Sequence, residues 1–333
     1  WCRGRIFISF KKYIKMNQLP TGLWPVMLTP FKDDNSIDID GIKNLTEFYI
    51  AAGADGLFAN CLSSEMFQLT DEERLLVTKT VVATANTRVP VIATGSFSAE
   101  INTSASFIKK LYDLGVAAAV ISTSQPCNEL ETDEEFKMKM ENLMDLTGNI
   151  PLGLYECPVP YKRLVSSETL KWLAESGRFY YHKDTSCILD CIKEKIKAVE
   201  GTTLGIYNAH VPTGVESIRL GARGLSPIAA NLYPELFSYL LKNLNDTGKQ
   251  QEIEHLNNVL DIMDTIIHHN YPFTAKLFLQ NRGLGITRNG RIPRLAMSTH
   301  DYNKLDTIMR EFRQLSEELE IDIIQFKHKE ITL

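Results

Sequence analysis

Three places in the chain carry side chains capable of covalent or acid-base chemistry, each at the end of an apolar or β-branched run. Lys183 follows Phe179-Tyr-Tyr-His182, Tyr155 closes Pro151-Leu-Gly-Leu-Tyr155, and Ser63-Ser64 follows Asn60-Cys-Leu62. An ammonium is strongly hydrated, and placing one at an apolar rim costs several kcal/mol unless it is paired or loses its proton. Desolvation lowers the amine pKa, and the neutral amine attacks ketones to give a Schiff base. A phenol such as that of Tyr155 can both give and take a proton, which suits a carbinolamine oxygen and a leaving hydroxyl. Main-chain N–H groups in the turn at Ser63 and Ser64 could bind a carboxylate, as they do at helix starts. Taken singly, Lys183 also reads as a loop lysine reaching solvent, Tyr155 as a core aromatic and the serine pair as a plain turn. Their convergence argues for chemistry.

The elements that would position these groups alternate along the chain. Strand texture occupies residues 24–29, 56–60, 89–94, 117–122, 151–155, 179–182, 203–207 and 221–225, with helical periodicity over 41–52, 71–84, 103–114, 133–146, 168–175, 188–199 and 213–220. Thr70-Asp-Glu-Glu73 and Thr132-Asp-Glu-Glu135 fit the capping box and fix two helix starts. Strands separated by helices imply parallel pairing through right-handed crossovers, and eight of them close most economically into a (β/α)₈ TIM barrel, whose catalytic groups sit at the carboxyl ends of the strands. No GxGxxG follows the first strand and no GxxxxGK[ST] occurs, which disfavours an open doubly wound sheet. Helical texture returns alone over 234–245, 253–269, 274–282 and 301–319. The expected division is therefore a barrel over 17–230 and a C-terminal helical extension over 231–333 packed on it, with no long linker between them.

Composition excludes several functions. The 333 residues hold 36 basic and 41 acidic side chains, a net charge of −5, which gives no footprint for nucleic acid. No apolar run approaches the ~18 residues of a membrane span. Six cysteines without paired CxxC spacing read as reduced thiols in a cytoplasmic protein, and no metal site is expected. Residues 1–16 form a basic lead with five Lys or Arg and no acid before Met16. They read as an extension upstream of the natural start.

At these residues the sequence resembles the dihydrodipicolinate synthase / N-acetylneuraminate lyase family of pyruvate-dependent Schiff-base aldolases. The resemblance runs from about Gly22 to Leu319. It includes Leu28-Thr-Pro-Phe31, Ser63-Ser-Glu-x-x-x-Leu-Thr-x-Glu-Glu73, Tyr155-x-x-Pro158, Lys183-Asp-Thr185, Gly221-Ala-x-Gly-x-Ser226, Lys276 and Arg282-Gly-Leu284. It implies that Lys183 forms an imine with pyruvate or another 2-oxo acid, that Tyr155 is the general acid/base, and that the main chain near Ser63 and Ser64 holds the carboxylate. The imine itself is the electron sink, so no cofactor is expected. The family also implies a homo-oligomer, a tetramer or a dimer.

Departures from the family pattern narrow the activity. The usual Gly-Thr-Thr-Gly-Glu turn reads Cys61-Leu-Ser-Ser-Glu65, so the first threonine, which with a tyrosine after strand four relays protons in the synthases, is Leu62; the tyrosine position falls near Gln125. The synthase arginine that recognises the aldehyde's carboxylate falls at Pro160, with Lys162 and Arg163 nearby. Lys183-Asp-Thr185 looks more like the 2-keto-3-deoxy sugar-acid aldolases, with Thr185 placed to bond a substrate hydroxyl and Asn208, His210, Ser226 and Gln125 as further polar contacts. The expected activity is cleavage of a 2-oxo-3-deoxy sugar acid, or of sialic acid, to pyruvate and an aldehyde. Alternatives are a dehydratase or a synthase-like condensation through the same imine, and a non-catalytic 2-oxo-acid-binding or regulatory barrel.

Overall fold

The computed structural model describes residues 18–326, so the basic lead lies outside the described residues. Eight strands, β1 (Gly22–Leu23), β2 (Leu57–Ala59), β3 (Val91–Thr94), β4 (Ala118–Ser122), β5 (Leu152–Tyr155), β6 (Phe179–Asp184), β7 (Gly205–Asn208) and β8 (Gly224–Leu225), pair in parallel in the order β1-β8-β7-β6-β5-β4-β3-β2. Beyond β1, Val26 bridges Phe58, Met27 N–H donates to the Phe58 carbonyl at 2.9 Å and Phe58 N–H to the Pro25 carbonyl at 3.1 Å. The curled sheet thus turns back toward its first strand, consistent with the (β/α)₈ barrel expected. β1 is shorter and earlier than the apolar run 24–29 predicts. Pro25 has no N–H to give a ladder, so the run continues as single bridges.

Helices α1 (Ile39–Ala51), α2 (Asp71–Ala85), α3 (Ile101–Asp113), α4 (Asp133–Thr147), α5 (Ser167–Glu175), α6 (Leu189–Ala198) and α7 (Gly214–Arg219) alternate with the strands. Both predicted capping boxes form. Thr70 Oγ1 accepts from Glu73 N–H while the Glu73 carboxylate accepts from Thr70 N–H, and Thr132 and Glu135 do the same. The outward sides of the strands, among them Ile121, Leu152, Leu154 and Ile206, pack against Phe136, Leu143, Leu170 and Leu173 of the helices.

Inside the sheet the alternate residues form an aromatic plug. Tyr181 stacks on Tyr207 with centroids 4.3 Å apart, and Trp24 and Phe58 pack on Tyr181 at 5.4 and 5.7 Å. These rings fill the interior with apolar surface and leave polar chemistry to the strand ends. Gly224 is required here, because a Cβ would lie 2.2 Å from the Gly22 carbonyl and 2.8 Å from the Tyr207 ring.

Helix α8 (Pro234–Asn243) packs on β1 and so continues the βα alternation; α9 (Gln250–Ile267), α10 (Phe273–Asn281) and α11 (Thr299–Glu318) follow. The tail shares one apolar cluster with the barrel, with Ile267, Phe278 and Phe312 joining Leu45, Phe48 and Leu236. A fully buried ion pair joins the two parts. Lys276 Nζ lies 2.6 Å from Glu65 Oε1, and Ile292 N–H donates to Glu65 Oε2 at 2.9 Å. Removing one partner of such a pair strands the other charge. Lys276→Met is expected to cost about 3–5 kcal/mol in urea unfolding, whereas a change within ~0.5 kcal/mol would mean that the pair does not hold the tail.

No helix among the described residues is long and apolar enough to cross a membrane.

Candidate active site

Tyr155 and Lys183 are register partners on the neighbouring strands β5 and β6. Each is the inward residue at its strand's carboxyl end, and they are 4% and 3% exposed. The Lys183 Nζ lies 4.9 Å from the centroid of the Tyr155 ring, which itself packs edge-on to Phe58. Burial dominates the titration of both groups. It lowers the Lys183 ammonium to about 8, against a smaller opposing influence of the Cys61 and Cys157 thiols. It raises the Tyr155 phenol well above its ordinary value, helped by the same two thiols. The pair at neutral pH is therefore a lysine that readily yields a neutral amine and a protonated phenol beside it.

Holding a buried lysine this way has a cost to the fold. Below about pH 8 the folded state carries a poorly solvated ammonium. As pH rises from that value toward the unfolded lysine's 10.5 the unfolded chain binds the extra proton, so stability rises with pH and the penalty disappears. Lys183→Met is accordingly expected to stabilise the protein by about 2–3 kcal/mol at pH 7, with the gain vanishing above ~pH 10. Thermal unfolding of both proteins across that range checks it, and a gain independent of pH would contradict the assignment.

The next residue of each strand points the other way, as a two-residue period requires. Glu156 and Asp184 face outward beneath α6, where Lys195 Nζ lies 2.5 Å from Glu156 Oε1 and 2.5 Å from Asp184 Oδ2. The buried His182 Nε2 is 3.4 Å from Glu156 Oε1. Glu156, His182 and Asp184 bring donor atoms within 4.8 Å of one another, and the Lys195 ammonium already bonds two of the three, Glu156 and Asp184. Burial alone would raise the Glu156 carboxyl, but His182 and Lys195 outweigh it and hold the group well below the usual range. Burial likewise opposes the Lys195 charge, and Glu156 and Asp184 overcome it.

The other residues singled out in the sequence fall into two groups. Ser63 Oγ accepts from the Tyr271 phenol at 2.8 Å, while Ser64 Oγ donates to the Met27 carbonyl at 2.6 Å and its N–H to the Cys61 carbonyl. Gln125, partly exposed, lies just beyond β4 in a loop tied to the β5 loop through Ser124 Oγ and the Val159 carbonyl. Thr185 leans on Glu156, with its N–H on the carboxylate at 2.9 Å and its hydroxyl donating to the carbonyl at 2.7 Å.

Two expected contacts are corrected. Asn208 points outward to α7. Its amide donates to Thr213 and Ser217 and accepts from His210 N–H, so it braces its own loop. Ser226 is fully buried in the plug, accepting from Tyr181 and donating to the Trp24 carbonyl, and it saturates a core phenol. His210 bonds Thr213 Oγ1 at 3.1 Å.

Sequence reasoning missed Tyr271 and Lys195. Tyr271 accepts from Asn231 Nδ2 at 2.6 Å, and Tyr49 of α1 donates to Asn231, so a hydrogen-bond chain runs from α1 to Ser63. A cavity of about 330 Å³ beside Tyr271 is lined by C-terminal loop residues including Arg291 and Arg294, and by neither Lys183 nor Tyr155. Lys183 and Tyr155 are candidates by their burial and chemistry, and they lie outside the lining of this cavity.

An amine inclined to lose its proton, set against a phenol at the carboxyl ends of adjacent parallel strands, is the equipment of a carbon–carbon lyase that works through a lysine imine. The chain matches the Dihydrodipicolinate synthetase family over residues 19–312. It is 24% identical over 284 residues to a 4-hydroxy-tetrahydrodipicolinate synthase of Legionella pneumophila, covering 85% of this chain and 96% of that protein. It is 26% identical over 294 residues to 4-hydroxy-tetrahydrodipicolinate synthase 2 of Halalkalibacterium halodurans, covering 86% and 96%. Its fold is similar to that of a dihydrodipicolinate synthase from Bacillus anthracis, with a TM-score of 0.79, 22% identity and coverage of 87% and 97%. A second similar fold is that of a chloride-inhibited synthase from Acinetobacter baumannii complexed with pyruvate, with a TM-score of 0.77, 24% identity and coverage of 92% and 100%. The chain belongs to the dihydrodipicolinate synthetase family, and with it to the pyruvate-dependent Schiff-base aldolases.

Proposed function

We propose that this protein, on a closed (β/α)₈ barrel, cleaves a 2-oxo-3-deoxy sugar acid to pyruvate and an aldehyde through an imine at Lys183, with no bound cofactor. The neutral amine attacks C2 of the 2-oxo acid, and the Tyr155 phenol gives its proton to the carbinolamine oxygen, which leaves as water. Tyr155, now a phenolate, takes the proton of the C4 hydroxyl. The C3–C4 bond breaks, its electron pair moves into the iminium to give an enamine, and the aldehyde departs. Protonation of the enamine at C3 and hydrolysis then release pyruvate and the free lysine.

The observation that carries the aldolase reading over a synthase reading is Arg163. It is the nearest guanidinium in sequence to the position of the synthase arginine, and it is committed to the start of α4, donating to the carbonyls of Glu131 and Thr132 and to the Asp133 carboxylate. With Pro160 at the family position, the β5 loop offers only the exposed Lys162 to a carboxylate-bearing aldehyde. Leu62 packs into the apolar plug and has no hydroxyl with which to relay a proton. The synthase reading is favoured by the names of the relatives. A panel of 2-oxo-3-deoxy sugar acids, sialic acid included, with pyruvate release coupled to lactate dehydrogenase, separates them. Release from a sugar acid supports the proposal. Condensation of pyruvate with a carboxylate-bearing aldehyde and no release supports the synthase, while loss of a hydroxyl without pyruvate indicates a dehydratase. Pyruvate binding with no turnover indicates a non-catalytic barrel.

A further inference from the structure

Two buried carboxylates directly behind the reactive pair are costly unless something offsets them. Glu156 immediately follows Tyr155 and Asp184 immediately follows Lys183, on strands that are register partners at this point. Both face α6, whose buried residues are Ile192 and Lys195, one helical turn apart, while Lys193 and Lys197 are exposed. Of three lysines in one short helix, only the one aimed at the strands is drawn inside. Glu156 does more than pair with it. It also accepts from Val165 N–H at 2.9 Å, at the exit of the β5 loop, and from Thr185 N–H at 2.9 Å, just past Lys183. Asp184 Oδ1 accepts from Ser186 N–H and Oγ at 2.9 and 2.7 Å.

We infer that Lys195 is a positioning residue of the reaction: its ammonium ties Glu156 to Asp184 directly behind Tyr155 and Lys183, fixing the spacing of that pair and offsetting the two carboxylates nearest to it in the chain. The inference rests on the reading that Lys183 carries the imine. The groups around the pair are Tyr155, Cys61 and Cys157 on the inner side, and Glu156, Asp184, His182 and Lys195 behind. Loss of the Lys195 charge leaves an excess of negative charge behind the lysine, which favours its ammonium. Loss of the Asp184 charge does the reverse.

Competitive acetylation of the folded protein with acetic anhydride at a series of pH values, read at Lys183 by peptide mass, measures this without any substrate. Lys195→Met is expected to raise the midpoint by about one pH unit and Asp184→Asn to lower it by a similar amount. The double variant should return toward the unsubstituted protein, and Lys195→Arg should leave the midpoint unmoved. Pyruvate imine formation, quenched with borohydride, should slow by about ten- to a hundredfold in Lys195→Met. A purely structural brace would lower thermal stability in these variants without a sign reversal. A folded Lys195→Met with an unchanged midpoint and imine rate overturns the inference. If that variant does not fold, an unchanged or raised midpoint in Asp184→Asn overturns it equally. Acetylation shifts of the expected signs in a protein that forms no borohydride adduct would instead sink the imine reading and leave the charge clamp standing.

Discussion

Lys183→Ala is expected to lower kcat/KM for any substrate that the protein cleaves by on the order of 10⁴-fold or more, with the fold intact. In the proposed mechanism the amine supplies the covalent bond through which electrons leave C3–C4. Removal of a nucleophile that acts as part of a unit abolishes most of the covalent advantage at once. The fold has little reason to suffer, because among the described residues the side chain makes no ion pair, and it sits buried against a phenol ring at 4.9 Å. Lys183→Arg, which keeps the charge but offers no nucleophile, should be as inactive as alanine. Steady-state kinetics with circular dichroism on the same samples decides it: activity within tenfold of the unsubstituted protein in either variant would place the chemistry elsewhere.

Tyr155→Phe is expected to reduce kcat by about 10²–10⁴-fold, the range that a positioned acid/base contributes. The ring stays, so the edge-on contact with Phe58 and the packing around Lys183 persist. Only the proton carrier is lost. Burial keeps the phenol protonated in the resting site, so in the proposed mechanism it acts first as an acid and as a base only after donating to the carbinolamine. Substrate binding should change little, and the imine should still form slowly with water as proton source. Rapid-quench measurement of imine formation beside steady-state turnover separates these steps. A large rise in KM with kcat preserved would make Tyr155 a binding residue.

Much of this arrangement was legible in the sequence, for identifiable reasons. The capping boxes at Thr70 and Thr132 are local reciprocal bonds that need only spacing. The alternation of strand and helix announced an eight-stranded parallel sheet, and the carboxyl-end rule then made Lys183 and Tyr155 the candidates.

What was not legible depended on contacts between distant elements. Strand β6 continues to Asp184 although Lys183 and Asp184 look like the start of a loop, because one faces the barrel and the other a buried ammonium. Lys195 is indistinguishable in sequence from its surface neighbours Lys193 and Lys197. Asn208 and Ser226 looked like substrate contacts because polar groups at strand ends often are. Asn208 faces outward by the same alternation that aims Tyr207 inward, and Ser226 is held between Tyr181 and Trp24. Tyr271 reaches Ser63 across 208 residues of chain, a distance at which spacing carries no signal.

If the buried amine of Lys183 bonds covalently to a 2-oxo acid, borohydride reduction in the presence of pyruvate will trap the imine as a stable secondary amine. Proteolysis and mass mapping should find the reduced three-carbon adduct on the peptide containing Lys183, absent without pyruvate and absent in Lys183→Ala. An unmodified Lys183 under conditions where pyruvate binds, or an adduct confined to another lysine, would contradict the account.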